Sequence, residues 1–213
     1  MTTIVGRNCK VEVALTFDAA IAATACTKAK PPVATFTSHG LTDGEAGYWA
    51  VTAGMIELDQ QGQLVDNVTA NTWELPGLDS TDYSTYSAGN FYAAATWGTI
   101  SEATSYAVGG GASDQLDDTR LTDSKRRNVA GLLASQDVTI GVNQGEISGA
   151  AMAYVETQAQ RGLPCLFKVS KGSQVLRVFY GTPSIPGESV GVGALGTGEF
   201  SVTVPAFAVK PNV

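Results

Sequence analysis

The chain has one histidine in 213 residues, His39, placed in a Ser38-His39-Gly40 turn. Histidine-dependent proton transfer or a multi-histidine metal site would have to be built from this single imidazole. It reads as a turn residue. Gly187-Glu188-Ser189-Val190-Gly191 matches the G-x-S-x-G pattern of a hydrolase nucleophile. That chemistry needs a strand–turn–helix context and a histidine later in the chain, and none follows Ser189. Gly191-Val192-Gly193-Ala194-Leu195-Gly196 matches G-x-G-x-x-G, but a strand-like Phe-Ser-Val-Thr-Val run follows where a dinucleotide site needs a helix N-terminus. Gly109-Gly110-Gly111 lacks the G-K-[ST] ending of a phosphate loop. Asp117-Asp118 has no calcium-loop spacing, and adjacent loop carboxylates are usually solvated. Lys125-Arg126-Arg127 is a short cationic run with carboxylates close by in sequence. It suits an ion-pair patch between subunits better than a phosphate contact. Cys9, Cys26 and Cys165 are odd in number and lack C-x-x-C spacing. Neither a disulfide framework nor a zinc site is expected, and they read as small apolar residues in a reducing compartment. These patterns point to no enzyme, no catalytic residues, no cofactor and no metal.

Composition narrows the classes further. Formal net charge is −7, with 13 Lys+Arg against 20 Asp+Glu. The pI near 4.6 argues against a protein that wraps nucleic acid, which needs a cationic surplus. Charged residues are only 15%, against about 25% in ordinary soluble domains. A surface that neutral is compatible with cover by other subunits. Twenty-four Gly and eight Pro, with abundant Thr, Ser and Val, favour strands and turns. No apolar run of about 18 residues is present, so no membrane span is expected. MTTIVGRNCK carries no secretory pattern, which leaves the Asn67-Val68-Thr69 sequon without meaning.

The elements that would hold any site are mostly strands. Cys9, Val11, Val13, Leu15 and Phe17 alternate with polar or small residues over Cys9–Phe17. A second strand is expected over 21–28, before Pro31-Pro32 interrupts pairing. Residues 31–90 then read as a small, tight β module, with strands at 33–38, 48–53, 55–58, 64–69 and 72–75. His39-Gly40, Asp43-Gly44, Gln61-Gly62 and Pro76-Gly77 supply its turns, and a Ser/Thr/Asp/Gly stretch over 79–90 ends it. Strand-like residues return over 97–108. Residues 109–132 hold the densest charge and read as one long loop. A strand follows at Val138–Val142. Ser148 is the expected N-cap of a helix over 149–160, with Gly162 at C′ and Pro164 beyond. Met152, Val155 and Ala159 form its apolar stripe, with Tyr154 alongside. Cys165 to Tyr180 reads as a hairpin turning at Lys171-Gly172. Its return strand is apolar on both faces, Val175 and Phe179 on one, Leu176, Val178 and Tyr180 on the other. Such a strand is buried twice, by its own domain or by a neighbour. A Gly-rich loop over 187–198 leads to a last strand carrying Phe200, Val202 and Val204.

Several stretches, in order, resemble the tail tube proteins of long-tailed, non-contractile bacteriophages. They are Gly6-Arg7-Asn8-Cys9-Lys10-Val11-Glu12-Val13-Ala14, and Trp97-Gly98-Thr99-Ile100-Ser101-Glu102-Ala103-Thr104-Ser105-Tyr106. Gly109-Gly110-Gly111, Leu116-Asp117-Asp118-Thr119 and Gly131-Leu132-Leu133 follow. Last come the helix, the Phe167–Phe179 hairpin, and Gly181 through Pro186-Gly187-Glu188. The resemblance covers about 1–30 and 91–213. It implies a mainly β fold: a tail-tube-type β-sandwich or partial barrel with one flanking α-helix. Residues 31–90 would be a small inserted all-β module, for which the likeness is looser. Its carriers are His39 to Gly44, Gly54 to Leu58 and Trp73 to Asp79.

The resemblance further implies a structural virion protein. Six copies would form a ring whose inner strands join into one barrel, and rings would stack into a tube that conducts DNA during ejection. The 109–132 loop would reach the adjacent ring, with Asp117, Asp118, Arg120, Lys125, Arg126 and Arg127 in or near that contact. Phe167, Val169, Val175, Arg177 and Phe179 would lie in the sheet joining neighbours. Partners would be the protein itself, tail terminator, tape measure and baseplate or tip proteins, with transient passage of double-stranded DNA and no membrane. The location would be the virion tail, assembled in the host cytoplasm. Two other classes stand beside this reading: a carbohydrate-binding β-sandwich module, and a hydrolase using Ser189.

Charge sorts along the same boundaries. Residues 31–90 hold eight carboxylates and no Lys or Arg, so the surplus negative charge lies there. The remaining residues are close to neutral. A DNA conduit benefits from an acidic lumen, which here would require the balanced charges to segregate by face.

Overall fold

The alternating N-terminal run forms β1, Cys9–Phe17, and β2 follows at Ile21–Cys26. In this computed structural model, residues 9–110, 113–122, 124–143, 149–192, 196–206 and 209–211 are described. Then come β3 (Val33–Phe36), β4 (Ala46–Ala53), β5 (Gly62–Leu64), β6 (Thr72–Glu74), β7 (Ala88–Thr99) and β8 (Ala103–Val108). The chain continues through β9 (Ser113–Asp117), β10 (Asn128–Leu133) and β11 (Gln136–Asn143) to α1 (Ala150–Arg161). It ends with β12 (Cys165–Lys171), β13 (Gln174–Pro183) and β14 (Thr197–Val204). The protein is mainly β, with one α-helix among the described residues.

Twelve strands form one antiparallel sheet that does not close into a barrel. Its order is β6-β3-β2-β7-β1-β12-β13-β14-β11-β8, with β4 branching from β7 and carrying β5. The sheet folds back on itself where β13 meets β14 at Thr182 and Pro183. Val138, Ile140, Val142, Phe200, Val202 and Val204 thereby pack against Val11, Val13, Phe167, Val169 and Phe179. That is a sandwich-like core, because the inner faces of two strand layers exclude water from each other. The helix closes one side of it with Ala151, Met152 and Val155.

Helix ends follow local chemistry. Gly149, not the expected Ser148, stands at the N-cap, and Ser148 lies outside the described residues. Gly162 takes the left-handed conformation (φ 63°). It donates its N–H to Ala159 O, and Leu163 N–H reaches Gln158 O at 3.0 Å. This satisfies carbonyls that the last turn leaves open.

A second core gathers Phe36, Trp49, Trp73, Tyr86 and Phe91 with Met55, Leu58 and Leu75. Phe36 and Trp73 stack at 3.6 Å between ring centroids. A third, smaller cluster lies on the outer face of β1, β12 and β13: Ala14, Ala46, Leu64, Leu166, Val178 and Tyr180. There Tyr48 of β4 stacks between Tyr92 and Tyr180, at 5.1 and 4.2 Å. β5 lies directly on β13. A Cβ at Gly62 would come within 2.8 Å of the Phe179 backbone, so only glycine allows that approach.

Several expectations are corrected. Residues 55–58 are not a strand but a 3₁₀ turn, Ile56–Leu58, closed by Leu58 N–H to Met55 O and Asp59 N–H to Ile56 O. The 64–69 strand is instead β5, which begins at Gly62 and stops at Leu64; Asp66 then bridges to Glu74 and Asn67 turns the chain with a positive φ. The 97–108 strand is two, β7 and β8, and β7 starts inside the supposed 79–90 stretch. Strict alternation also fails twice. Register shifts between Ala14 and Phe17 turn Phe17 to the opposite face from Val13. A bulge in β13 at Leu176, opposite Val169 and Ser170, puts Leu176 with Phe179, and Val175 with Val178 and Tyr180. A bulge adds one residue to one strand, so every later side chain changes face.

Candidate functional site

The segment expected as a long loop is a β-hairpin. β9 and β10 pair with each other as a separate two-stranded sheet, with Val129 opposite Leu116. Asp118 N–H donates to Arg127 O at 2.8 Å, which closes the ladder below the tip. Asp117 accepts the Thr119 N–H at 2.9 Å and also its hydroxyl, which holds its carboxyl below the usual range. Arg127 stands 3.8 Å from Asp118, a loose and solvent-exposed pair. Arg120, Lys125 and Arg126 are exposed on the tip. The ribbon also exposes apolar side chains: Leu116 and Val129 are 57% and 49% exposed, and Leu121 at the tip is fully so. An isolated hairpin is marginal in water, and this one presents a cross-strand apolar pair to solvent. Sequence reading missed Leu116, Leu121 and Val129. The signal was the strand-like Asn-Val-Ala-Gly-Leu-Leu run at 128–133, obscured by the charges before it.

The residues expected in the sheet that joins neighbours fall into two groups. Phe167, Val169 and Phe179 have no exposed surface and belong to the protomer's own sandwich core. β12 is paired on both edges, by β1 and β13. Val175 and Arg177 are half-buried. The apolar character of both faces of β13 is therefore accounted for within one chain. One face feeds the sandwich core, the other the cluster under β4 and β5. On that outer face Lys168 sits 3.3 Å from Glu12 and 4.1 Å above the Trp97 ring, with both charged side chains largely buried. Ring face and carboxylate together compensate the desolvated ammonium.

The catalytic patterns do not assemble. Ser189 lies in an extended segment, with its N–H and C=O bonded to Thr197. His39 belongs to the aromatic cluster instead. Its Nδ1 accepts the Leu41 N–H at 3.1 Å, and its ring meets Trp73 edge-on at 4.9 Å. Gly193 to Leu195 of the G-x-G-x-x-G pattern, and Gly111 of the glycine triplet, lie outside the described residues. Among the described residues no group of three His, Cys, Asp or Glu is placed to hold a metal ion. Burial pushes the Cys26 thiol up to about 11 and the Cys165 thiol up to about 12. Thiolates are scarce at both, which suits packing rather than chemistry. No described helix is long and apolar enough to cross a membrane.

A β-sheet protein with a freestanding, partly apolar hairpin has the build of an assembly subunit. Comparison with known families gives that class a name. The family model described as phage tail tube protein, TTP, matches residues 53–162, slightly more than half the chain. The chain belongs to the phage tail tube protein family. No curated protein matches it. It is a structural component of the virion tail, of a family that self-assembles into a tube with other tail proteins.

Proposed function

We propose that six copies form a ring, that rings stack into the tail tube, and that the tube conducts DNA during ejection. The observation that carries this reading is the β9–β10 hairpin, a separate ribbon with Leu116, Leu121 and Val129 open to solvent. In this reading the hairpin reaches the adjacent ring, with Asp117, Asp118, Arg120, Lys125, Arg126 and Arg127 in or near the contact. The sheet is open and ends in β6 and β8, and open strand edges are available to a second copy. The β12–β13 hairpin takes part in the joining sheet through Val175 and Arg177, with Phe167, Val169 and Phe179 supporting it from the core. Residues 31–90 form an acidic inserted module on the outside of the tube. A block of about 60 residues inside would obstruct a lumen, and eight carboxylates keep it soluble. Tail terminator, tape measure and tip proteins cap and fill the tube, which assembles in the host cytoplasm.

Negative-stain microscopy of concentrated full-length protein tests this. The expected result is stacked rings of uniform diameter with six-fold end views. Monomers at every salt and protein concentration, with virions lacking the protein along the tail shaft, would overturn it.

A further inference from the structure

The two edges of β13 are filled differently. β12 pairs along one of them from Cys165 to Lys171. On the other, β14 reaches only Thr182 and Pro183 among the described residues. Backbone groups further back on that edge need another partner, because a buried polar group left open is costly. At Val178, which has no exposed surface, the partner is Val209. Val178 N–H donates to Val209 O at 3.2 Å, and Val209 N–H donates to Val178 O at 3.1 Å. Both bonds of an antiparallel pair are thus made by one residue from a segment beyond β14.

Further contacts hold that segment down. Val209 is 4% exposed and Pro211 is buried. Between them Lys210 passes against the Pro76-Gly77 turn of the 31–90 region. Gly77 has φ 78°, and a Cβ there would stand 2.2 Å from the Lys210 carbonyl oxygen, so only glycine allows the approach. The Pro76 carbonyl is itself fixed by the buried Gln63 of β5, whose Nε2 donates to it at 2.9 Å. Lys210 lines one cleft with Lys30, Asp66, Glu74 and Asp79, where carboxylates outnumber ammonium groups.

We propose that residues 209–211 are a strap, clamped by the Pro76-Gly77 turn, that closes the Val178 edge of β13 and keeps free subunits from pairing there. An open strand edge is a template for another chain, and covering it with a separate segment prevents edge-to-edge association. The occupant that the strap excludes is a second copy of this chain, entering with an open edge of its own, β6 or β8. The 31–90 region holds the clamp, and β13 carries the edge it protects.

Gly77→Ala tests it, because the added methyl displaces Lys210 without altering β13. Gly40→Ala is the control. Gly40 has φ 70° and a Cβ there meets nothing within 4 Å, so the backbone strain is shared and the clash is absent. Amide hydrogen exchange of the full chain reads Val178 directly. Gly77→Ala is expected to speed exchange at Val178 at least about tenfold, with Ile140 in the sandwich core unchanged and Gly40→Ala like the parent. Light scattering, at concentrations where the parent stays dispersed, should show Gly77→Ala associating into irregular, thioflavin-binding species. Lys210→Glu, an exposed change, is expected to speed Val178 exchange about two- to threefold. Val178 that stays protected in Gly77→Ala, or that rises no more than Ile140 in both variants, overturns the strap. An equal rise in Gly40→Ala overturns the clamp at Gly77. Fast exchange without added association overturns the guarding role. Neither readout depends on tube formation, so the tube reading is tested separately.

Discussion

The aromatic core under residues 31–90 and the aliphatic core of the sandwich solve burial differently. The first is built on Phe36, Trp49, Trp73, Tyr86 and Phe91. The second relies on β-branched residues such as Val11, Val13, Val138, Ile140 and Val202 with three phenylalanines. The strands of the first region are short, three to eight residues from β3 to β6. Short strands carry few inward positions, so large rings must fill the space. Among the described residues, the buried indole nitrogens of Trp49 and Trp73 have no hydrogen-bond partners, a cost the sandwich core does not carry in its aliphatic rows. In the sandwich, eight-residue strands such as β11 and β14 supply a regular inward row. The lesson is that rings fill the core where β3, β5 and β6, of four residues or fewer, supply few inward positions. A second lesson is that the two cores are not separate bodies, because β7 pairs with β4 and β2 at one end and β1 at the other.

The largest expected effects probe that sharing. Trp73→Ala in one core and Phe167→Ala in the other should each cost about 3–5 kcal/mol. Urea denaturation followed by far-UV circular dichroism should show both lowering the same single transition. Two separable transitions, each moved by one variant, would break the shared-unit view. Gly62→Val comes next. It forces a side chain into the Phe179 backbone, at a cost of about 1–3 kcal/mol by overpacking. The same denaturation series measures it, and wild-type stability would show that the β5–β13 seam yields.

Smaller effects sharpen the contrast. Cys26 reports on the aromatic core and Cys165 on the sandwich core. Neither should react with a thiol reagent at pH 8 over minutes in the folded protein, and both should react once it is denatured. Under partial urea, faster labelling of Cys26 is expected, since β3 and β6 lie at the sheet's end. Equal rates would mean both cores open together. The smallest effect is electrostatic. Asp79 accepts bonds from Thr81 and is paired with Lys30 at 3.0 Å, which lowers its carboxyl to about 2. Its contribution is present above the ordinary Asp value and is lost as pH falls towards 2. Asp79→Asn should flatten that part of the stability–pH curve slightly, as followed by thermal melts. An unchanged slope would remove Asp79 from the acid response.

Much of the strand order in sequence was legible because alternation is local. Cys9–Phe17 was readable to the residue, and so was Gly162 at the helix end. The β9–β10 hairpin was not, because charge density imitates a loop when a ribbon has no buried face. The faces of Val175 and Leu176 were misassigned for another reason. Nothing in the residues announces the bulge at Leu176.

The sequence by itself determined the mainly β class, the single helix and its Gly162 stop, the likeness to tail tube proteins, and the concentration of negative charge in 31–90. Those follow from residue type and local spacing, which need no partner to be read. Only the tertiary structure decided that β13 is buried twice within one chain, and that Tyr48 bridges two regions through stacked rings. It also decided that β9 and β10 pair into a ribbon standing apart from the main sheet. Strand pairing joins residues more than a hundred positions apart, and its register and bulges depend on packing across the whole sheet.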